Sequence, residues 1–156
     1  MKTINIPLKR KLDDSYDVVI GEGIFDVLIK DLLKNPLGSK YAIVTDYNVK
    51  ALFGNSLLKK LRLAGLNAEI FAFAGGESEK NIQTVVHLQE RLLEKQFGRD
   101  SLVIALGGGV VGDVAGFLAA TFCRGIPYVH IPTTLLAMVD SSIGGKTGVN
   151  LTHGKN

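Results

Sequence analysis

Apolar residues recur along the chain with two different periods, and the switching between them lays out an architecture. Thr3–Leu8 and Tyr16–Ile20 alternate as two short strands, joined by a charged loop over Lys9–Ser15. Ile24, Phe25, Leu28, Leu32 and Leu33 then recur at helical spacing until Pro36 and Gly38 break the chain. Tyr41–Thr45 is a short apolar run of strand type. Val49–Ala64 returns to helical spacing, with Leu52, Phe53, Leu57, Leu61 and Ala64 on one face and Gly65 as C-cap. Ala68–Ala74 alternates as a strand. Asn81–Gln96 is the clearest amphipathic helix. Ile82, Val85, Val86, Leu92 and Leu93 are expected inside it, and Thr84, His87, Arg91, Glu94 and Lys95 outside. Gln89 falls on the inward stripe, a polar residue that the pattern leaves unexplained. Leu102–Leu106 is a wholly apolar strand followed by a helix to about Phe122. Pro127–Ile131 is the next strand and Thr133–Val139 a short helix.

Strands separated by helices of this length imply parallel pairing, because parallel neighbours need crossover connections. The apolar run Leu102–Leu106 fits a central strand covered on both faces. The expected fold is α/β, a doubly wound, mostly parallel sheet with an N-terminal strand pair. At 156 residues it forms one domain.

Composition narrows the function. Residues 101–156 hold five charged side chains (Asp113, Arg124, Asp140, Lys146, Lys155) of the 33 in the chain, and ten of its 18 glycines. Such a stretch is either deeply buried or shaped around a ligand that the backbone must approach closely. A membrane span over Ser101–Cys123 is disfavoured by five glycines and by Asp113 at mid-span, which costs ~3 kcal/mol. The net charge is +3 and the basic run Lys9–Lys11 is offset by Asp13 and Asp14, so nucleic acid is not an expected partner. Cys123 is the single cysteine, which suits a reducing compartment, and no secretory leader pattern opens the chain. The three histidines share no metal-ligand spacing with each other or with Cys123.

In an open parallel sheet, ligands bind beyond the carboxyl ends of the strands. Four distinctive loops are expected there: Asp46 with Asn48, Gly75-Gly76-Glu77, Gly107-Gly108-Gly109, and Thr133-Thr134. Gly107–Asp113 reads Gly-Gly-Gly-Val-Val-Gly-Asp, a G-x-G-x-x-G between a strand and a helix. Missing side chains would let phosphate reach the backbone, and the helix start offers N–H donors and a positive dipole end. The alternative is tight helix–sheet packing. Glu77 and Asp113 either favour helix first turns or accept hydrogen bonds from ribose hydroxyls. Thr133-Thr134 doubles as an ordinary N-cap pair. His87 belongs to a solvated face, and His130 reads as a satisfied core histidine rather than a ligand. Asp140–Asn156 is polar and glycine-rich without a hydrophobic period. Its Gly144-Gly145-Lys146-Thr147 has the end of a P-loop, yet Asp140 stands where the first glycine belongs. Lys146 and Lys155 would hold a phosphate or carboxylate as point charges. The final Gly154-Lys155-Asn156 leaves a loop open, so a longer protein is expected.

Gly107–Ala120, Arg124-Gly125, Pro132–Leu136 and Asp140–Asn156 together resemble the 3-dehydroquinate synthase family. The resemblance implies that residues 1–156 are a Rossmann-like N-terminal domain binding NAD. A helical C-terminal domain carrying the metal ligands (zinc or cobalt) would lie outside this chain. It implies conversion of the sugar phosphate 3-deoxy-D-arabino-heptulosonate 7-phosphate to 3-dehydroquinate and phosphate, in a cytoplasmic homodimer that uses NAD catalytically. By the same resemblance Asp46, Glu77, Lys80, Gly108, Gly109, Val110, Asp113, Thr133 and Thr134 match cofactor positions. Lys146 and Lys155 match lysines at the junction of cofactor and substrate. Arg124, Asp140 and Asn156 match substrate-side positions, with Arg124 a phosphate contact across the dimer. Competing readings are another sugar-phosphate cyclase, such as 2-deoxy-scyllo-inosose synthase, a metal-dependent polyol dehydrogenase, or a nucleotide-binding module without chemistry.

Overall fold

The computed structural model describes residues 2–7, 11, 13 and 15–154. Four strands run parallel in the order β2-β1-β3-β4: β1 (Lys40–Asp46), β2 (Ala68–Phe73), β3 (Ser101–Gly107) and β4 (Tyr128–Pro132). Alternation along β1 sends Tyr41 and Ile43 to one face, and Ala42 and Val44 to the other. On the first face they pack with Leu102, Ile104 and Leu106 of β3 against α1 (Ile24–Lys34) and α3 (Asn55–Leu63). On the second they pack with Val103 and Ala105 against α4 (Ile82–Glu94) and α5 (Gly109–Thr121). Every residue of β3 is buried, as a central strand covered twice requires. The chain therefore winds both ways from β1, outward to β2 and inward to β3. The β1/β3 exit is the topological switch point.

The fold class stands, but the N-terminal strand pair does not. None of the described residues in 2–7 or 15–20 joins a strand. Ile4, Ile6, Val18, Val19 and Ile20 are all exposed, Ile20 at 92%. Two strands alone are marginal in water, and these have no apolar layer to cover them. Leu8 and much of the Lys9–Ser15 loop lie outside the described residues.

Two helices are rotated from the expected faces. The segment expected as one helix over Val49–Ala64 begins as a short turn, α2 (Tyr47–Val49), passes through a π-helical turn over Lys50–Gly54, and only then becomes α3. The wider turn shifts the helical phase, so Leu52 and Phe53 face solvent while Leu57 and Leu61 are fully buried. Gly54 seats the turn on the sheet: a Cβ there would lie 2.8 Å from the Ile70 Cδ1 atom. In α4 the buried stripe is Thr84, expected outside, with Val85, Leu88 and Leu92, leaving Ile82, Val86 and Leu93 exposed. Packing against α5 chose this stripe from a helix with more apolar residues than one face can bury. Gln89 then explains itself, since its Nε2 donates to the Thr121 hydroxyl of α5 at 3.0 Å.

Side chains finish the ends and edges. Asn81 caps α4, its Oδ1 accepting from Thr84 N at 2.8 Å. Lys40 Nζ donates to the carbonyls of Lys95 and Gln96 just beyond α4. On the free edge of β2, Arg62 and Arg91 donate to the Ala68 and Ala72 carbonyls, each at 3.0 Å. A capped edge offers less to another strand. No helix among the described residues is long and apolar enough to cross a membrane.

Candidate functional site

The register Asp46↔Phe73, Val44↔Ala105 and Gly107↔Pro132 sets the four strand exits side by side. The four loops singled out in the sequence therefore occupy one rim. Thr45 ties its centre, donating from Oγ1 to the Leu106 carbonyl at 2.7 Å across the switch point. Asp46 ends β1 and caps the next turn, its Oδ1 accepting from Asn48 N and Val49 N at 2.8 and 2.9 Å. Gly75 lies against it; a Cβ there would be 3.6 Å from the Asp46 side chain. Glu77 opens a 3₁₀ turn over Glu77–Glu79 and stays exposed, with Oε1 accepting from Asn150 Nδ2 at 2.9 Å.

The glycine loop is shaped by close approaches. A Cβ on Gly107 would meet Val111 at 2.5 Å, and one on Gly108 would come within 3.2 Å of the Thr134 methyl. Gly108 is the N-cap of α5 and no side chain caps the first turn, where Gly109 and Val110 begin the helix. The result is a bare cradle at a helix start that a single methyl would fill. Thr133 N donates to the Gly107 carbonyl at 2.9 Å, and Thr134 Oγ1 accepts from Ala137 N at 3.2 Å. Tight packing accounts for Gly107 and Gly112, while Gly108 and Gly109 sit less crowded, their nearest approaches being 3.2 Å to Thr134 and 3.5 Å to Ser141. At Gly112 a Cβ would lie 2.4 Å from the His130 ring.

Asp113 is not a first-turn residue. It sits in the second turn of α5 and pairs with Lys80 Nζ at 2.6 Å, the two side chains only 19% and 10% exposed. So little solvent reaches the pair that its attraction is screened far less than that of a surface ion pair. Beside it, burial raises the Tyr128 hydroxyl above the usual tyrosine range, with the Asp113 charge adding to the effect. Burial also pushes His130 below the usual histidine range. Neither His130 ring nitrogen finds a hydrogen-bond partner among the described residues, so the expected satisfied core histidine is instead an unsatisfied one.

The segment after β4 wraps α5. A Cβ on Gly109 would lie 3.5 Å from Ser141 Oγ, and one on Gly116 only 2.2 Å from the Thr147 methyl. Asp140 and Lys146, each just before one of these contact residues, are exposed. Gly144 and Gly145 take positive φ, and no helix follows Lys146 among the described residues, which excludes a P-loop. The segment returns to the rim at Asn150, which bridges Asn81. A cavity of about 390 Å³ opens there, lined by Glu77, Lys80, Asn81 and Asn150 among others.

Arg124 is not brought to the rim. It follows the C-terminal end of a 13-residue helix whose N-terminus is the glycine loop, about 20 Å away along the axis. Exposed at that opposite pole, it shares no site with Gly109 in the same chain. Lys155 and Asn156 lie outside the described residues. Asn150, Thr147 and Thr45 were not anticipated. The spacing of Gly109, Gly112 and Gly116 on one side of α5 was the available sign of close neighbours. No group of three or more His, Cys, Asp or Glu able to hold a metal occurs among the described residues.

The family model for the 3-dehydroquinate synthase N-terminal region matches residues 70–156. Over 155 residues the chain is 46% identical to the 3-dehydroquinate synthase of Prochlorococcus marinus subsp. pastoris, covering 98% of this chain and 42% of that protein. It thus spans less than half the length of the curated relatives it matches. Among solved structures, 2-deoxy-scyllo-inosose synthase complexed with carbaglucose-6-phosphate, NAD+ and Co2+ superposes with a TM-score of 0.80 at 34% identity. That match covers 87% of this chain and 37% of the other. The 2-epi-5-epi-valiolone synthase of Streptomyces hygroscopicus subsp. jinggangensis, with NAD+ and Zn2+ bound, matches with a TM-score of 0.81 at 33% identity. It covers 96% of this chain and 41% of the other.

Proposed function

Because the chain belongs to the 3-dehydroquinate synthase N-terminal family, we propose that it is the NAD-holding half of an enzyme making 3-dehydroquinate and phosphate from 3-deoxy-D-arabino-heptulosonate 7-phosphate. One observation carries the reading: a glycine-lined helix start without a side-chain cap, at the β1/β3 switch point, shares the carboxyl rim of the sheet with two carboxylates, Asp46 after β1 and Glu77 after β2. That donor set suits a dinucleotide. Backbone N–H groups at Gly108, Gly109 and Val110 would face the pyrophosphate, whose charge the α5 dipole favours. Asp46 and Glu77 would accept from ribose hydroxyls, and Thr133 and Thr134 would add hydroxyl contacts. Lys80 and Asp113 would brace the glycine loop against the Glu77 turn through their ion pair. Bound NAD supplies a reversible hydride acceptor, and a divalent metal, zinc or cobalt, supplies a Lewis acid.

Lys146 and Lys155 would bring positive charge to the junction of cofactor and substrate, with Asp140 and Asn156 on the substrate side. The metal ligands would come from the part of the relatives' length that this chain does not span. Arg124, at the far pole, would reach a substrate phosphate only from a second copy, which supports a homodimer. A single cysteine fits a cytoplasmic setting. The 46% identity to a dehydroquinate synthase, against 34% to 2-deoxy-scyllo-inosose synthase, favours the first over the sister cyclase. Calorimetric titration with NAD tests the reading. Saturable binding is expected, and no heat and no thermal shift at millimolar NAD would remove the cofactor assignment.

A further inference from the structure

We propose that Asn150 is a positioning residue for the dinucleotide site, holding the Glu77 carboxylate in the orientation that receives ribose hydroxyls; this rests on the reading of Glu77 just given. Asn150 grips the Glu77–Glu79 turn at both ends. Its side-chain Nδ2 donates to Glu77 Oε1 at 2.9 Å, and its backbone N donates to the Lys80 carbonyl at 2.8 Å. The backbone also forms the bridge to Asn81, so the whole turn is stitched to a segment about 70 residues further along. Glu77 is exposed, and a long exposed side chain spreads over many rotamers unless something selects one.

The chemistry of the partner matters. An amide donor engages one carboxylate oxygen, keeps the negative charge intact, and leaves the second oxygen to accept from a ligand hydroxyl. A lysine or arginine in its place would offset that charge. The nearby cation Lys80 pairs with Asp113. The two roles of Asn150 are also separable. Its backbone bond to Lys80 survives any side-chain substitution, so the turn stays attached while the carboxylate is released.

The test is NAD affinity, by calorimetry on the full-length protein, for Asn150→Leu, Asn150→Gln, Glu77→Ala and the Asn150→Leu/Glu77→Ala pair. Asn150→Leu keeps the branched four-atom side-chain skeleton and loses the donor. It should weaken NAD about tenfold, equivalent to about 1.4 kcal/mol. Asn150→Gln retains an amide at the same position and should bind within threefold of the wild type. In the Glu77→Ala background, Asn150→Leu should change affinity less than twofold, because nothing remains to be positioned. Wild-type affinity in Asn150→Leu beside a weakened Glu77→Ala overturns the positioning role and spares the site. Additive losses in the double variant, or no rescue by Asn150→Gln, also overturn it, since a merely structural role predicts both. Absence of NAD binding by the wild type overturns the reading of the site itself. A parallel melting curve for each variant shows whether the fold is intact, and Asn150→Ala replaces Asn150→Leu if the latter does not fold.

Discussion

Gly116→Ala measures how closely the wrapping segment sits on α5. A Cβ at Gly116 would lie 2.2 Å from Thr147 Cγ2, 2.9 Å from its Cβ and 3.1 Å from its Oγ1. Carbon atoms pack at about 3.5–4.0 Å, so something must move by more than an ångström. Rotation of Thr147 does not relieve the clash, because a β-branched side chain is stiff and its Cβ is itself too near. The backbone from Thr147 onward has to lift away from the helix. Overpacking of this kind costs about 1–3 kcal/mol, and the short distance argues for the upper end. Alanine in a helix interior returns about 1 kcal/mol relative to glycine. The net expectation is a loss of about 2 kcal/mol, or a fall in Tm of about 4–8 °C for a chain of this size. Urea and thermal denaturation of the single variant, of Thr147→Ala and of the pair provide the check. Thr147→Ala removes the two nearest branches and should at least halve the penalty of the added methyl. Should Gly116→Ala prove as stable as the wild type, or lose equally in both backgrounds, the contact is not tight and the reasoning fails.

Two further expectations concern the switch point and the buried histidine. Thr45→Val keeps the shape but removes the donor to the Leu106 carbonyl. It should cost about 1–3 kcal/mol, read as a shifted urea midpoint with an unchanged m-value; a midpoint within error of wild type would show that water replaces the hydroxyl. For His130 the folded-state pKa lies below the ordinary 6.5 because burial disfavours the charged ring. The unfolded chain therefore binds the proton more tightly, and stability falls as pH drops through 6.5 toward the folded value. The pH dependence of the urea midpoint between pH 7.5 and 5.5 should flatten in His130→Gln relative to wild type. Identical slopes would show that His130 does not contribute.

Much of the architecture is visible in short windows of residues. The runs at Tyr41–Thr45, Ala68–Ala74, Leu102–Leu106 and Pro127–Ile131 each carry a strand, because apolar continuity depends on neighbours in the chain. The glycine loop and the acidic loops were legible for the same reason, and parallel connectivity puts them on one rim. Helix faces were less legible. In α4 both Val85 and Val86 are apolar, yet only Val85 is buried, and in the segment before α3 a π turn moved Leu52 and Phe53 outward. A helix with surplus apolar residues does not announce which stripe its neighbours will cover.

The sequence by itself determined where strands and helices lie, which turns must be glycine, and that the polar loops share the carboxyl end of a parallel sheet. These follow from backbone sterics and from periods of two and 3.6 residues, which are local quantities. Tertiary structure alone decided the rest. Alternation at the N-terminus made no strand among the described residues, because a strand requires a partner and a covering layer. Gly109 at the start of α5 and Arg124 just past its end went to opposite poles, because a helix is a rigid spacer whatever charge it carries. Asn150 reached Glu77 across 73 residues, a contact created by packing and by no pattern within either segment.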